Sequence, residues 1–248
     1  MKAVLALSEA VLADAVRKKV VWVVLVFATL LAFTVPSLPA YGGEVVSAVY
    51  RDVVLALMFA MSLVVGLALA VTRIPGEVER RTVFPVLARD VRRWQYVCAT
   101  WGGMFIVVGL VVLAFTAIAI AVGALAYHEV MSVLLKGAFA AWLEAGVVVA
   151  VALLFSTRFS PVTSTVGALA FVFIGHSIPG LFTTLVGSGE HAAAPWWLPS
   201  LGVFDIIAPV AHGSGVSAVH LMGMSVAFVA WAALLLVLAS LLFSGRDL

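Results

Sequence analysis

The chain has 248 residues, of which 65% are hydrophobic and 10% are charged, with a net charge of +2 and a mean hydropathy of +1.22. A soluble domain cannot cover that much apolar surface, so this composition excludes a water-soluble globular protein and predicts one whose solvent is lipid. The single cysteine, Cys98, excludes an intrachain disulfide and a metal site built from cysteines.

Residues 1–19 are predicted to form an amphipathic helix of their own. Their apolar side chains share one helical face, and Glu9, Asp14 and Arg17 lie off it. Such a helix would lie at the inner membrane interface, held there by the basic cluster that ends at Lys19. The alternative is a cytoplasmic extension of the first span. No cleavable signal peptide is expected, because acidic residues interrupt the apolar part and the basic cluster follows it.

Six apolar segments are each long enough to cross the hydrocarbon core, which takes about 20 helical residues. Every backbone N–H and C=O must be satisfied inside the bilayer, so the predicted fold is an all-α polytopic membrane protein with one transmembrane domain over residues 20–248. The six predicted spans are Val20–Ala40, Val53–Thr72, Val97–Leu125, Leu134–Ser156, Pro161–Val186 and Val219–Phe243.

The basic residues predict the orientation of these spans. Six crossings place both termini on one side, and twelve of the fourteen Lys and Arg residues fall on that side or in the loops that share it. The opposite side carries Arg51 and Lys136. Because cytoplasmic loops are enriched in Lys and Arg, both termini are predicted to be cytoplasmic, in a protein of the plasma membrane.

The loop after the second span, residues 73–97, carries six Arg residues together with acidic and apolar ones. Val83, Phe84 and Leu87 follow a helical spacing, and Thr82 is a suitable N-cap for a short helix. Such a helix would turn its Arg side chains to lipid phosphates and its apolar side chains to a groove on another protein. A charged hairpin that faces water is the alternative.

Two groups of residues in the spans are further candidates. Ser62, Gly66 and Ala70 would let another helix approach span two, either from a second copy or from the same chain. Glu144 and His176 lie within spans four and five. Since charge is expensive in lipid, the alternatives for these two are a structural pair, a substrate path and an interfacial position.

The extracytoplasmic loop, residues 187–218, is too apolar for a solvated loop. It is predicted to form short interfacial or re-entrant helices, with Trp196 and Trp197 at headgroup level. Asp205 and His212 are its other candidate residues. Imidazole is a common metal and haem ligand, but no spacing of the histidines matches a ligand set, so no metal site is predicted.

Several chemistries lack their sequence motifs. The chain has neither the G-x-x-x-x-G-K-[ST] phosphate loop nor H-E-x-x-H. Ser188 and Ser214 lack the first glycine of a G-x-S-G motif, where Val186 and His212 stand, which leaves an intramembrane enzyme without a catalytic pair. The basic residues border membrane spans, so nucleic acid is not an expected partner. The chain is therefore predicted to be neither an enzyme nor a cofactor-binding protein.

The region after span two, GEVERRTVFPVLARDVRRWQYVCATWGG, resembles the first cytoplasmic loop of type-2 ATP-binding-cassette permeases. Asp90 stands where that family has a proline, and Ala99 and Thr100 stand where it has a Gly-Lys pair. The matching residues are Glu79, Thr82, Leu87, Ala88, Arg89, Arg93 and Gly103.

The C-terminal part is similar to the ending of permeases grouped with multicopper-enzyme maturation transporters. That ending has a Leu-Pro-x-x-x-x-Phe-Asp motif, a His-Gly pair, a span, and a Phe-x-x-Arg-Asp-Leu tail. The matching residues here are Leu198, Pro199, Phe204, Asp205, His212, Gly213, Phe243, Arg246, Asp247 and Leu248.

These resemblances imply the permease subunit of an exporter, acting as a homodimer with two separate ATPase subunits that bind ATP and Mg. They leave the substrate open. A non-transporting subunit that acts mechanically on an extracytoplasmic protein is the alternative, and a membrane anchor without transport is another. The loop after span two would be the coupling helix, with candidate contacts Glu77, Glu79, Arg80, Arg81, Thr82, Val83, Phe84 and Leu87.

Overall fold

The computed structural model describes residues 20–37, 43–79, 92–186, 200–212 and 215–245, and the regular structure in these ranges is entirely helical. The all-α prediction is confirmed for this part of the chain. The amphipathic helix predicted for residues 1–19 lies outside the described residues. The helices are α1 (Val20–Ser37), α2 (Gly43–Glu79), α3 (Arg93–Tyr127), α4 (Leu134–Ser156), α5 (Pro161–Val186), a 3-10 helix (Leu201–Val203), α6 (Ile207–Ala211) and α7 (Ala218–Ser244).

Among the described residues, five helices are long and apolar enough to cross a membrane, as expected for a multi-pass membrane protein. The first predicted span coincides with α1, whose apolar stretch Trp22–Leu31 is shorter than these five. The count of six spans therefore stays a prediction. The five candidate spans are Val45–Gly76, Arg93–Tyr127, Leu134–Ser156, Pro161–Leu185 and Ala218–Ser244.

The helix bounds agree with the predicted spans for α4 and α5, whereas α2 and α3 extend beyond them. α4 and α5 begin and end at the predicted residues. α2 continues past Thr72 to Glu79, with Pro75 inside it, and α3 already begins at Arg93. A helix satisfies its own backbone groups outside the hydrocarbon too, so it need not end where hydropathy falls. Residues 73–79 and 93–97 of the predicted loop are therefore helical, and residues 80–91 lie outside the described residues.

Helix α4 lies at the centre of the bundle. It packs against α2, α3, α5 and α7, and almost all of its residues are buried. The peripheral helices present large apolar side chains outward, such as Phe173 on α5, which is 76% exposed, and Val226 on α7, which is 69% exposed. Because each Å² of apolar surface left in water costs about 25 cal/mol, such faces fit contact with lipid.

The small residues of α2 pack inside the chain. Ser62, Gly66 and Ala70 are all buried, and a Cβ at Gly66 would lie 2.9 Å from Cγ2 of Val149 on α4. The stripe therefore lets α2 approach α4 closely and presents no surface to another copy. Its prediction as a dimer contact is contradicted by this burial, and the alternative of packing within the subunit is correct.

Two tryptophans link α3 to α4 through hydrogen bonds to backbone carbonyls. Trp101 Nε1 donates to Gly146 O at 3.0 Å, and Trp142 Nε1 donates to Phe105 O at 2.9 Å. The Phe105 and Trp142 rings also stack, with centroids 4.4 Å apart. Lipid offers no acceptor to an indole N–H, so these two bonds satisfy polar groups while holding the helices together.

Candidate functional site

Two polar residues that are far apart in the sequence lie in direct contact. Glu144 comes from α4 and His176 from α5, and their Oε1 and Nε2 atoms are 2.8 Å apart. Asp205, between the 3-10 helix and α6, is near enough for its charge to act on both. The structure therefore places the two candidates from the spans in direct contact and adds one candidate from the outer segment.

The carboxyl group of Glu144 is enclosed and only partly satisfied. Its side chain is 1% exposed, and its Oε2 atom is buried without a hydrogen-bond partner among the described residues. The His176 side chain is 35% exposed. An ionisable group inside a membrane helix costs free energy, and the cost rises when one of its oxygens has no hydrogen bond. This pair is therefore the leading functional candidate in the bundle.

Asp205 lies between two short helical elements, the first of which packs on α5. The 3-10 helix packs so tightly on α5 that a Cβ at Gly202 would collide with Pro179. Asp205 Oδ1 accepts a hydrogen bond from the N–H of Ile207 at 3.3 Å, at the start of α6. Phe204 on one side of Asp205 is buried. The apolar outer segment thus forms the short helices that its composition predicted, while Trp196 and Trp197 lie outside the described residues.

A second polar region is a cleft of about 760 Å³, lined by Arg51, Asp52, Glu129 and His212 among others. Arg51 Nη1 lies 3.7 Å from Glu129 Oε1, so Arg51 has its charged neighbour within the same chain. Sequence reasoning missed Glu129, although its place directly after α3 puts it at the same end of the bundle as Arg51. His212 lines this cleft. Within the described ranges, no three of His, Cys, Asp and Glu are placed to hold a metal ion.

The candidate coupling residues divide at the end of α2. Glu77 and Glu79 lie in its last turns, whereas Arg80, Arg81, Thr82, Val83, Phe84 and Leu87 lie outside the described residues.

Both helices that flank this connection are anchored in the bundle. Ile74 of α2 and Tyr96 of α3 are fully buried, and the Tyr96 ring stacks on Phe243 of α7 with centroids 5.6 Å apart. Arg93 Nη1 donates to the carbonyls of Phe243 at 3.1 Å and Ser244 at 2.8 Å. The guanidinium thereby caps the C-terminus of α7, where a cation also interacts favourably with the helix dipole.

Replacing Arg93 with alanine should lower the free energy of unfolding by about 1–2 kcal/mol, because two charge-assisted hydrogen bonds are lost at a partly exposed site. The measurement is SDS-induced unfolding in mixed micelles, followed by circular dichroism. Arg92→Ala is the matched control, since the neighbouring Arg92 side chain is exposed. Equal losses in the two variants would show that the cap on α7 contributes nothing.

No protein-family model matches this sequence, and a search of curated proteins finds no significantly similar one. The resemblance to type-2 ATP-binding-cassette permeases therefore stays a prediction. A function for the chain has to be argued from its own residues and their geometry.

Proposed function

We propose that this chain is the permease subunit of an ATP-binding-cassette exporter. Separate nucleotide-binding subunits would bind ATP and Mg, and their hydrolysis would drive substrate across the plasma membrane. The observation that supports this best is the segment 80–92, which is rich in Arg, carries the Val83, Phe84 and Leu87 stripe, and joins two helices that are both anchored in the bundle.

The anchoring offers a path for movement. Force on residues 80–92 would act on the ends of α2 and α3, which pack against each other and against α4. Through Arg93 it would also act on the end of α7. Packed helices move as rigid bodies, so docking of an ATPase at this segment would shift three helices together. This suits a permease that changes between inward-facing and outward-facing arrangements.

The proposal includes the finer topology that the sequence predicts. Six spans, with α1 as the first, would place both termini in the cytoplasm and residues 80–92 on the same side. A second copy would complete the permease through a face other than the buried Ser62, Gly66 and Ala70 stripe. The absence of a phosphate loop from the sequence fits an energy source on another polypeptide.

The test is the ATPase activity that co-purifies with the tagged chain from its native membrane. Phe84→Ala should weaken docking about 30-fold, since a buried aromatic anchor contributes about 2 kcal/mol to an interface. Membrane insertion should be unchanged. Phe159→Ala is the matched control, because Phe159 is an exposed aromatic in the connection between α4 and α5, predicted to be on the same side. Its variant should retain the full activity.

Three results would count against the exporter. The coupling assignment fails when no ATPase accompanies the chain, or when Phe84→Ala and Phe159→Ala behave alike. An ATPase that is stimulated by an extracytoplasmic protein, with no substrate moved into sealed vesicles, would instead support the mechanical subunit.

A further inference from the structure

We propose that Glu144 and His176 form a proton-binding site inside the membrane region, and that His176 is the route by which protons reach Glu144. The ligand is one proton, bound to the carboxyl group and hydrogen-bonded to the imidazole. This site goes beyond the export function and does not depend on an ATPase partner.

The hydrogen bonding of the carboxyl group favours a bound proton. A carboxylate has room for about four hydrogen bonds. Glu144 makes one, from Oε1 to His176 Nε2 at 2.8 Å, while Oε2 is buried without a partner in the described part of the chain. A carboxylate oxygen that is buried among apolar side chains without a hydrogen bond costs much more free energy than the carbonyl oxygen of a neutral acid in the same place. Binding a proton removes that charge.

Long stretches of the helices that pack on α4 carry no charge that could compensate an ionised Glu144. α4 packs on α2, α3, α5, α6 and α7. Residues 53–72, 99–126 and 221–244, which form most of α2, α3 and α7, contain no ionisable side chain.

Among the described residues, the charged groups that act on Glu144 are His176 and Asp205. On α4 itself, Lys136 donates to Val216 O at 3.1 Å, near the start of the helix and about two turns from Glu144. Asp205 is acidic, so it adds to the cost of a second negative charge nearby.

The exposed fractions of the Glu144 and His176 side chains indicate that the ligand is a proton and that it passes through His176. Glu144 is 1% exposed, which leaves no opening for a metal ion or an ammonium group, whereas the His176 side chain is 35% exposed. Imidazole carries a proton site on each side of its ring. The ring therefore connects an enclosed carboxylate with the surroundings.

Proton transfer through His176 to Glu144 leaves the number of protons and the charge on the imidazole ring unchanged. Nδ1 of His176 takes a proton from outside while Nε2 gives its own proton to Oε1 of Glu144. The imidazole stays neutral and changes tautomer, and the carboxylate becomes a carboxylic acid. Release is the reverse, with Oε1 returning its proton to Nε2 as Nδ1 loses one.

The test is infrared spectroscopy of the purified chain in phospholipid vesicles at neutral pH, where exposed carboxyl groups are ionised. A carboxylic acid C=O band is expected in the unmodified chain. The band should be lost in Glu144→Gln and kept in Glu129→Gln, which removes an exposed carboxyl group.

The route is tested by transfer to deuterium oxide. His176→Gln retains a hydrogen-bond donor to Glu144, but an amide cannot relay a proton. The band should shift about tenfold more slowly in this variant. Losing one hydrogen bond of ordinary strength from the proton path slows the transfer by about that factor.

Three results would overturn the proposal: no acid band in the unmodified chain, a band that survives Glu144→Gln, or deuterium exchange as fast in His176→Gln as in the unmodified chain. The first of these needs no variant, so the site is decided even if a substitution prevents folding. None of the measurements involves ATP, and failure of the export function would leave them unchanged.

Discussion

Replacing His176 with leucine should lower the free energy of unfolding by about 1–3 kcal/mol, because it leaves the buried carboxyl group of Glu144 without its hydrogen-bond partner. Glu144 would then have both oxygens without a hydrogen bond, at a position that is 1% exposed. The measurement is SDS-induced unfolding in mixed micelles, followed by circular dichroism.

A double variant separates the lost pairing from the altered packing. Replacing a whole buried pair by apolar residues is often neutral or stabilising, so Glu144→Leu with His176→Leu should be more stable than His176→Leu alone. His220→Leu is the matched control, since this histidine lies exposed at the start of α7. A double variant less stable than the single one would contradict the unpaired carboxyl group as the cause.

Adding one methyl group at Gly146 should lower the free energy of unfolding by about 2–4 kcal/mol, since overpacking a core costs about 1–3 kcal/mol and a lost hydrogen bond about 1 kcal/mol. A Cβ there would lie 2.6 Å from the Phe105 ring and 2.7 Å from the Phe228 ring. Any shift of α3 away from α4 also strains the bond from Trp101 Nε1 to Gly146 O, which is 3.0 Å long.

The same unfolding measurement provides a control at Gly102. A Cβ at this position of α3 meets nothing within 4 Å. Gly102→Ala should be neutral or stabilising by up to about 1 kcal/mol, because alanine favours the helix. Combining Gly146→Ala with Phe228→Ala should recover part of the loss by making room for the methyl group. Equal stability of the Gly146→Ala and Gly102→Ala variants would show that the three helices do not meet as described.

The sequence singles out Glu144 and His176 as two separate candidates, but it does not show that they form one site. Glu144 and His176 stand out because each is ionisable within an apolar segment. Whether they form a pair, line a path or reach an interface depends on which helices are neighbours, and α4 and α5 could have been arranged in other ways. The same holds for Glu129, which became recognisable only beside Arg51.

The stripe of Ser62, Gly66 and Ala70 shows the limit most clearly. Its spacing predicts close approach of another helix, and this is correct. The pattern is identical whether that helix belongs to a second copy or to the same chain, and only the contact with Val149 decides it. The extension of α2 to Glu79 escaped hydropathy for a different reason, since a helix outside the hydrocarbon needs no apolar residues.

The sequence by itself determined the solvent, the helical class and the places where helices enter and leave the apolar region. These properties depend on local composition, because backbone groups in lipid must be satisfied within each segment. Tertiary structure alone decided the neighbours: Glu144 with His176, Arg51 with Glu129, and Arg93 with the end of α7. Lipid is as apolar as the helices, so hydrophobicity cannot choose among helix partners, and the shapes of packed side chains and a few polar contacts do.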